Sequence, residues 1–107
     1  MKFKVMHPVS CGEVTIKIRE GQRLNYYMGR DTDEGFESMA CTWFMDEGVL
    51  YRDYYRRARD CDGLYEWGGV ERAVMQSGQI VTNDFGYPVW DDVEHTFRDH
   101  TAEAAGY

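Results

Sequence analysis

At 107 residues the chain is one domain by size, residues 1–107, with room for a single modest core. Its 43% hydrophobic content, with eight Tyr, five Phe and three Trp, excludes a disordered polymer, which would lack the apolar groups to offset its ordering entropy. Nineteen acidic against twelve basic residues give a net charge of −7. That balance disfavours direct binding to nucleic acid or an anionic membrane, since both need a cationic footprint, and it favours a basic protein partner.

Residues 1 to 53 carry seven basic and nine acidic side chains and residues 54 to 107 carry five and ten, so the C-terminal half is the more acidic. Nine of the twelve cations are Arg, the residue suited to bidentate carboxylate pairing and to stacking on rings, which predicts that many are used internally. No apolar run approaches the roughly 20 residues of a membrane span, and the opening Met1–Val5 breaks off before a signal-peptide core. The expectation is a soluble, unexported, cytoplasmic protein. Cys11, Cys41 and Cys61 are widely spaced with no Cys-x-x-Cys pair, as fits reduced thiols rather than a disulfide framework or zinc knuckle.

In chain order, Phe3 and Val5 alternate with Lys2 and Lys4, and Glu13 to Arg19 alternates with β-branched residues on one side. This predicts two strands joined by a loop at Pro8–Gly12. Leu24 to Met28 is short and apolar, open to a short helix, and Gly29 to Gly35 reads as an exposed acidic loop. Phe36–Met45 and Val49–Arg59 fit both a helical stripe and a strand; Gly48 before the second and Asp62-Gly63 after it favour a long hairpin returning through Leu64–Trp67. Asp62-Gly63 is expected at the centre of a type I′ turn. Gly68-Gly69 suits a bulge or bend, Gln76-Ser77-Gly78 a tight hairpin loop, and Asn83–Pro88 a longer loop. From Val89 onward, Val89, Val93 and Phe97 fit a helix face while Val93, His95 and Phe97 fit a strand.

Candidate chemistry is sparse. His95 and His100 are five apart, which aligns two rings on neither a helix face nor a strand face, so no metal site is expected. Asp60 and Asp62 flanking Cys61 raise a thiol pKa rather than lower it, so Cys61 is expected as a small inward-facing side chain and not a nucleophile. No phosphate loop, dinucleotide fingerprint or nucleophile elbow is present. These absences predict a protein without catalytic residues, metal or cofactor.

The acidic surface is more concrete. Alternate strand residues repeat at roughly 6.6 Å on one face, near the roughly 7 Å between phosphates of an extended nucleic-acid strand. Asp31/Asp33, Asp60/Asp62 and Asp92/Glu94 could therefore imitate a phosphate row. The candidate partner-binding set is Asp31, Asp33, Glu34, Asp91, Asp92 and Glu94, with Tyr54 and Tyr55 as aromatic anchors. A solvated acidic face that only maintains solubility is the competing reading.

Arg59-Asp60-Cys61-Asp62-Gly63 together with the ending Arg98–Tyr107 resembles small proteins encoded by bacterial phages and other mobile elements. That resemblance implies a host-defence inhibitor of the anti-CRISPR or anti-restriction kind, whose partner is a bacterial defence complex with a basic surface. The alternative is a structural or accessory phage protein that binds itself or a virion component, and in either reading the oligomeric state, monomer or dimer, is open. The fold class expected is a β-rich α+β or all-β single domain of antiparallel hairpins, with at most one or two short helices near 24–28 or 89–103. The expected core is Val14, Ile16, Ile18, Trp43, Phe44, Val74, Ile80 and Phe97.

Overall fold

A computed structural model describes residues 1–99, with side chains through Thr96. Period-two alternation dominates these residues, and nearly all of it becomes strand. The strands are β1 (Lys2–Met6), β2 (Glu13–Lys17), β3 (Arg23–Thr32), β4 (Gly35–Asp46), β5 (Val49–Asp60), β6 (Gly63–Ala73), β7 (Met75–Gln76), β8 (Gln79–Ile80) and β9 (Trp90–Asp99). β3 to β6 form a meander that β9 extends, giving a five-stranded antiparallel sheet in the order β3-β4-β5-β6-β9. The β1–β2 and β7–β8 hairpins are separate two-stranded units.

The hairpins at Glu47-Gly48 (φ 52° and 77°) and Ser77-Gly78 (φ 51° and 76°) have positive φ at both central residues. This is the type I′ geometry whose twist matches that of the flanking strands. The β5–β6 turn differs from expectation. Asp60 pairs with Gly63, so the central residues are Cys61 and Asp62, neither at positive φ. The Asp60 carboxylate stabilises this turn instead, with one oxygen accepting from the N–H groups of Asp62 (2.8 Å) and Gly63 (3.1 Å).

Alternation gives the sheet two faces, and the β1–β2 hairpin covers one of them at one end. Phe3, Val5 and Ile18 descend onto Cys41, Trp43 and Met45 of β4, Leu50 of β5 and Ala73 of β6. Trp43 (2% exposed) and Leu50 (0%) are the largest fully buried side chains. The Trp43 ring meets Phe3 edge-on at 5.5 Å and Tyr26 at 5.2 Å. Its indole N–H is buried without an acceptor among the described residues, at a cost of about 1–3 kcal/mol that the packing outweighs. Backbone bonds from Gly21 N–H to the Met45 carbonyl (3.1 Å) and from Ile18 N–H to the Met1 carbonyl (2.8 Å) fix the hairpin's placement.

No helix occurs among the described residues. Leu24–Met28 is strand because Leu24, Tyr26 and Met28 turn inward while Arg23, Asn25 and Tyr27 turn out, an alternation that a five-residue reading understated. Over 89–99 the helical stripe fails: Val89 (37%) and Val93 (52%) are exposed, and the backbone pairs with β6; residues 100–103 lie outside the described residues. The acidic segment from Gly29 is exposed, but only Asp33-Glu34 is loop. Of the expected core, Ile18 and Trp43 are buried and Val14, Ile16 and Ile80 pack against it. Phe44 lies on the opposite face, stacked on Tyr51 at 5.1 Å, Val74 is half-buried, and the Phe97 side chain lies outside the described set. No helix of the structure is long and apolar enough to cross a membrane.

Leu50→Ala should cost about 2–5 kcal/mol, because the β1–β2 hairpin cannot collapse into the space left behind. Urea denaturation reads this as a lower midpoint at unchanged slope.

Candidate partner-binding surface

Antiparallel pairing sends the β3–β4 and β5–β6 turns to the same end of the sheet. Thr32 pairs with Gly35, Asp60 with Gly63, and Phe36 with Arg59, so the two loops are neighbours. Asp31, Asp33, Glu34, Asp60 and Asp62 are thereby gathered there, all exposed, although they come from segments almost thirty residues apart. Cys61 sits among them, exposed rather than inward-facing as expected, because it occupies a turn and not a strand position. Its thiol pKa is raised by Asp62 first, then Glu34 across the two loops, with smaller contributions from desolvation and Asp60.

Asp91, Asp92 and Glu94 stand elsewhere, on edge strand β9. Four strand spacings, roughly 19 Å, separate β9 from β3. The register shifts at Val70/Glu71, so Asp92 lies opposite Glu71 and Glu94 opposite Val70. Adjacent residues of β6 face opposite ways, and Asp92 and Glu94 therefore point to different faces. The expected phosphate-like row is not present at any of its three places: a bulge breaks Asp92/Glu94, while Asp33 and Asp62 lie in turns, outside strand alternation.

Tyr54 and Tyr55 are neighbours on central strand β5 and so occupy opposite faces. Tyr54 lies over Gly69, where an added Cβ would come within 3.0 Å of its hydroxyl and 2.4 Å of the Glu94 carbonyl; only glycine fits. The Tyr54 hydroxyl is 3.3 Å from His95 Nδ1, and its pKa is raised by desolvation, Glu71 and Asp92. Tyr55 is partly exposed, its pKa raised by desolvation and a hydrogen bond to Glu66.

Beyond the β1–β2 hairpin the covered face opens into a cleft of about 400 Å³, lined by Met39, Arg52, Tyr54, Arg56, Trp67 and Glu71 among others. Arg52 donates to Glu71 through Nε (3.2 Å) and Nη2 (2.7 Å) and lies over Trp90 at 4.5 Å. Arg56 lies over its cross-strand partner Trp67 at 5.1 Å. Sequence reasoning missed Arg56. The available signal was Arg52 and Arg56 sharing a strand face with Tyr54, which placed cations opposite the aromatic β6.

Arginine is mostly used internally. Arg23 lies over Phe44 (4.5 Å), Arg30 pairs with Glu37, and Arg57 pairs with Glu66 (3.6 Å) and lies over Phe36 (5.7 Å). Asp31, Asp33, Glu34, Asp62, Asp91, Asp92 and Glu94 have no ion pair among the described residues. The same residues hold no converging set of His, Cys, Asp and Glu fit for a metal ion. Burial raises the Cys41 thiol pKa to about 11, so neither Cys41 nor Cys61 is an activated nucleophile. No protein-family model, curated protein or solved structure matches this chain.

The local negative field is testable through Cys61. In a Cys11→Ser variant, with adducts assigned by peptide mapping, the neutral reagent iodoacetamide should alkylate Cys61 more slowly near neutral pH than it does in the urea-unfolded chain, where Glu34 is removed from the thiol while Asp60 and Asp62 stay beside it. Replacing Glu34 alone with Gln should lower the folded-state pKa, raise the thiolate fraction and accelerate labelling. An unchanged rate would show that the two loops do not share one field.

Proposed function

We propose that this chain is a non-enzymatic inhibitor of a bacterial defence system, acting in the host cytoplasm. Its acidic hairpin end would occupy a basic, nucleic-acid-binding surface of a nuclease or surveillance complex. The observation that carries this reading is the convergence of Asp31, Asp33, Glu34 and Asp62 at one end of the sheet, without ion pairs among the described residues, against one nearby guanidinium, Arg59, that no carboxylate or ring among them holds, while Arg30 and Arg57 are engaged by Glu37, Glu66 and Phe36. Arg30 and Arg57 are engaged within the molecule and Arg59 alone does not balance four carboxylates, so a net negative field is left for a partner. The raised thiol and phenol pKa values of Cys41, Cys61, Tyr54 and Tyr55 support binding over nucleophilic chemistry. Tyr55, exposed beside Arg57 and Glu66 on the uncovered face, adds an aromatic contact. A net charge of −7 argues that the partner is protein and not nucleic acid.

The test is affinity capture from a bacterial lysate with the unaltered chain and with Asp33→Lys/Glu34→Lys. Both residues are exposed turn positions, where such changes cost roughly 0.5 kcal/mol or less. The unaltered chain should retain a defence nuclease or its complex, and the reversed turn should slow association roughly tenfold or more, with strong salt dependence in the unaltered pair. Equal retention by both chains would sink the reading.

A further inference from the structure

The two edges of the main sheet are built differently. β9 carries the devices that discourage strand addition: a register shift, and Asp91, Asp92 and Glu94 along its exposed length. Two β9 edges brought together would set carboxylates against carboxylates. β3 has no register shift, and its charges, Arg23, Arg30 and Asp31, are of both signs. Its register with β4 runs unbroken from Arg23↔Phe44 to Thr32↔Gly35, it contains no proline, and Tyr27 at its centre is 71% exposed.

Parity decides which backbone groups of β3 are free. Thr32 and Gly35 close a two-residue loop, and Gln22 accepts from Met45 N–H (3.4 Å), so even-numbered residues hydrogen-bond to β4. Arg23, Asn25, Tyr27, Gly29 and Asp31 therefore direct their N–H and C=O outward, and no backbone partner meets them among the described residues.

We propose that β3 is a self-recognition edge, where a second copy of this chain pairs antiparallel about a two-fold axis at Tyr27 and joins two five-stranded sheets into one. In that register all the outward groups meet outward groups. Tyr27 faces its own copy, Asn25 faces Gly29, Tyr26 faces Met28, and Arg23 faces Asp31 twice by symmetry. Arg23 and Asp31 have no ion-pair partner within the chain among the described residues, and both lie on the uncovered face. A shift of two residues one way sets Arg23 against Gly29; a shift the other way sets Asp31 against Asn25. Of these registers, only the Tyr27-centred one matches both charges on the strand's uncovered face, Arg23 and Asp31, while Arg30 on the other face stays with Glu37 of its own chain. A closed two-fold pairing also ends the assembly at two copies, because the remaining edges are the charged β9 strands.

This pairing shares Asp31 with the acidic end of the inhibitor reading, but that reading is tested at Asp33 and Glu34 and this one at Arg23 and Asp31, so either can fail without the other. Sedimentation equilibrium of the full chain should give twice its 12.5 kDa mass. Asp31→Arg should weaken the dimer about tenfold or more, and adding Arg23→Asp should restore it, while Asp92→Arg on β9 leaves it unchanged. Thermal melts run alongside confirm that each variant is folded. Hydrogen exchange should show concentration-dependent protection of the Asn25, Tyr27 and Gly29 amides. A monomer throughout the soluble range, a folded Asp31→Arg variant of undiminished affinity, a charge swap without rescue, or a dimer with those three amides unprotected would each overturn the proposal.

Discussion

Everything in this molecule depends on the docking of one small hairpin onto one end of one sheet face. Phe3, Val5 and Ile18 bury against Cys41, Trp43, Met45, Leu50 and Ala73, with Leu24, Tyr26, Ile80 and Trp90 packed at the margin. A five-stranded antiparallel sheet alone leaves both faces wet, so the β1–β2 hairpin is what makes an interior possible. The interior is accordingly confined to that end, while the strands run on in a structure 52 Å long and 27 × 25 Å across.

The uncovered length of the sheet is stabilised by a different means. Across β3 to β6, Arg30–Glu37, Arg57–Glu66 and Arg56–Trp67 bridge neighbouring strands, and Arg52 joins β5 to both Glu71 and Trp90. Such cross-strand pairs contribute a few tenths of a kcal/mol to about 1 kcal/mol each, enough in number to hold long strands together without a second layer. Guanidinium is suited to this role because it stacks and pairs at once. The same use of arginine leaves Arg59 alone to face the carboxylates at that end, so the means of holding the sheet and the net negative field at its tip have one origin.

The legible parts of the fold were those set by local chemistry. Glu13–Lys17 reads as strand from β-branched alternation, and Ser77-Gly78 as a hairpin loop because glycine accepts positive φ. Val49–Arg59 was resolved only by its flanking turns, since Tyr and Arg suit either periodicity. Less legible were features decided by a partner strand. Met45 and Leu50 look like turn-flanking residues around Gly48 until the hairpin covers them, and Phe3 and Val5 are disguised by flanking lysines. The bulge that separates Asp92 from Glu94 depends on how β9 meets β6, which no spacing within β9 encodes. Cys61 was misplaced because the Asp60 carboxylate moves the turn one residue back from Asp62-Gly63. Of the candidate residues, the acidic hairpin end was visible as two separate clusters, but their meeting required the meander.

The meander also sets an order of assembly. From β3 to β6 each strand pairs with the next through a two-residue loop, so each step closes a short circuit and loses little chain entropy. β6 and β9 are instead separated by sixteen residues, Val74 to Val89, and the hairpin that completes the interior lies at the far end of the sequence from β9. Zipping along β4 and β5 therefore precedes closure of the interior, an order that φ-values at Tyr51 and Phe3 would report. The chain gathers its acidic loops early and acquires most of its cooperativity late, when the first hairpin settles over Trp43.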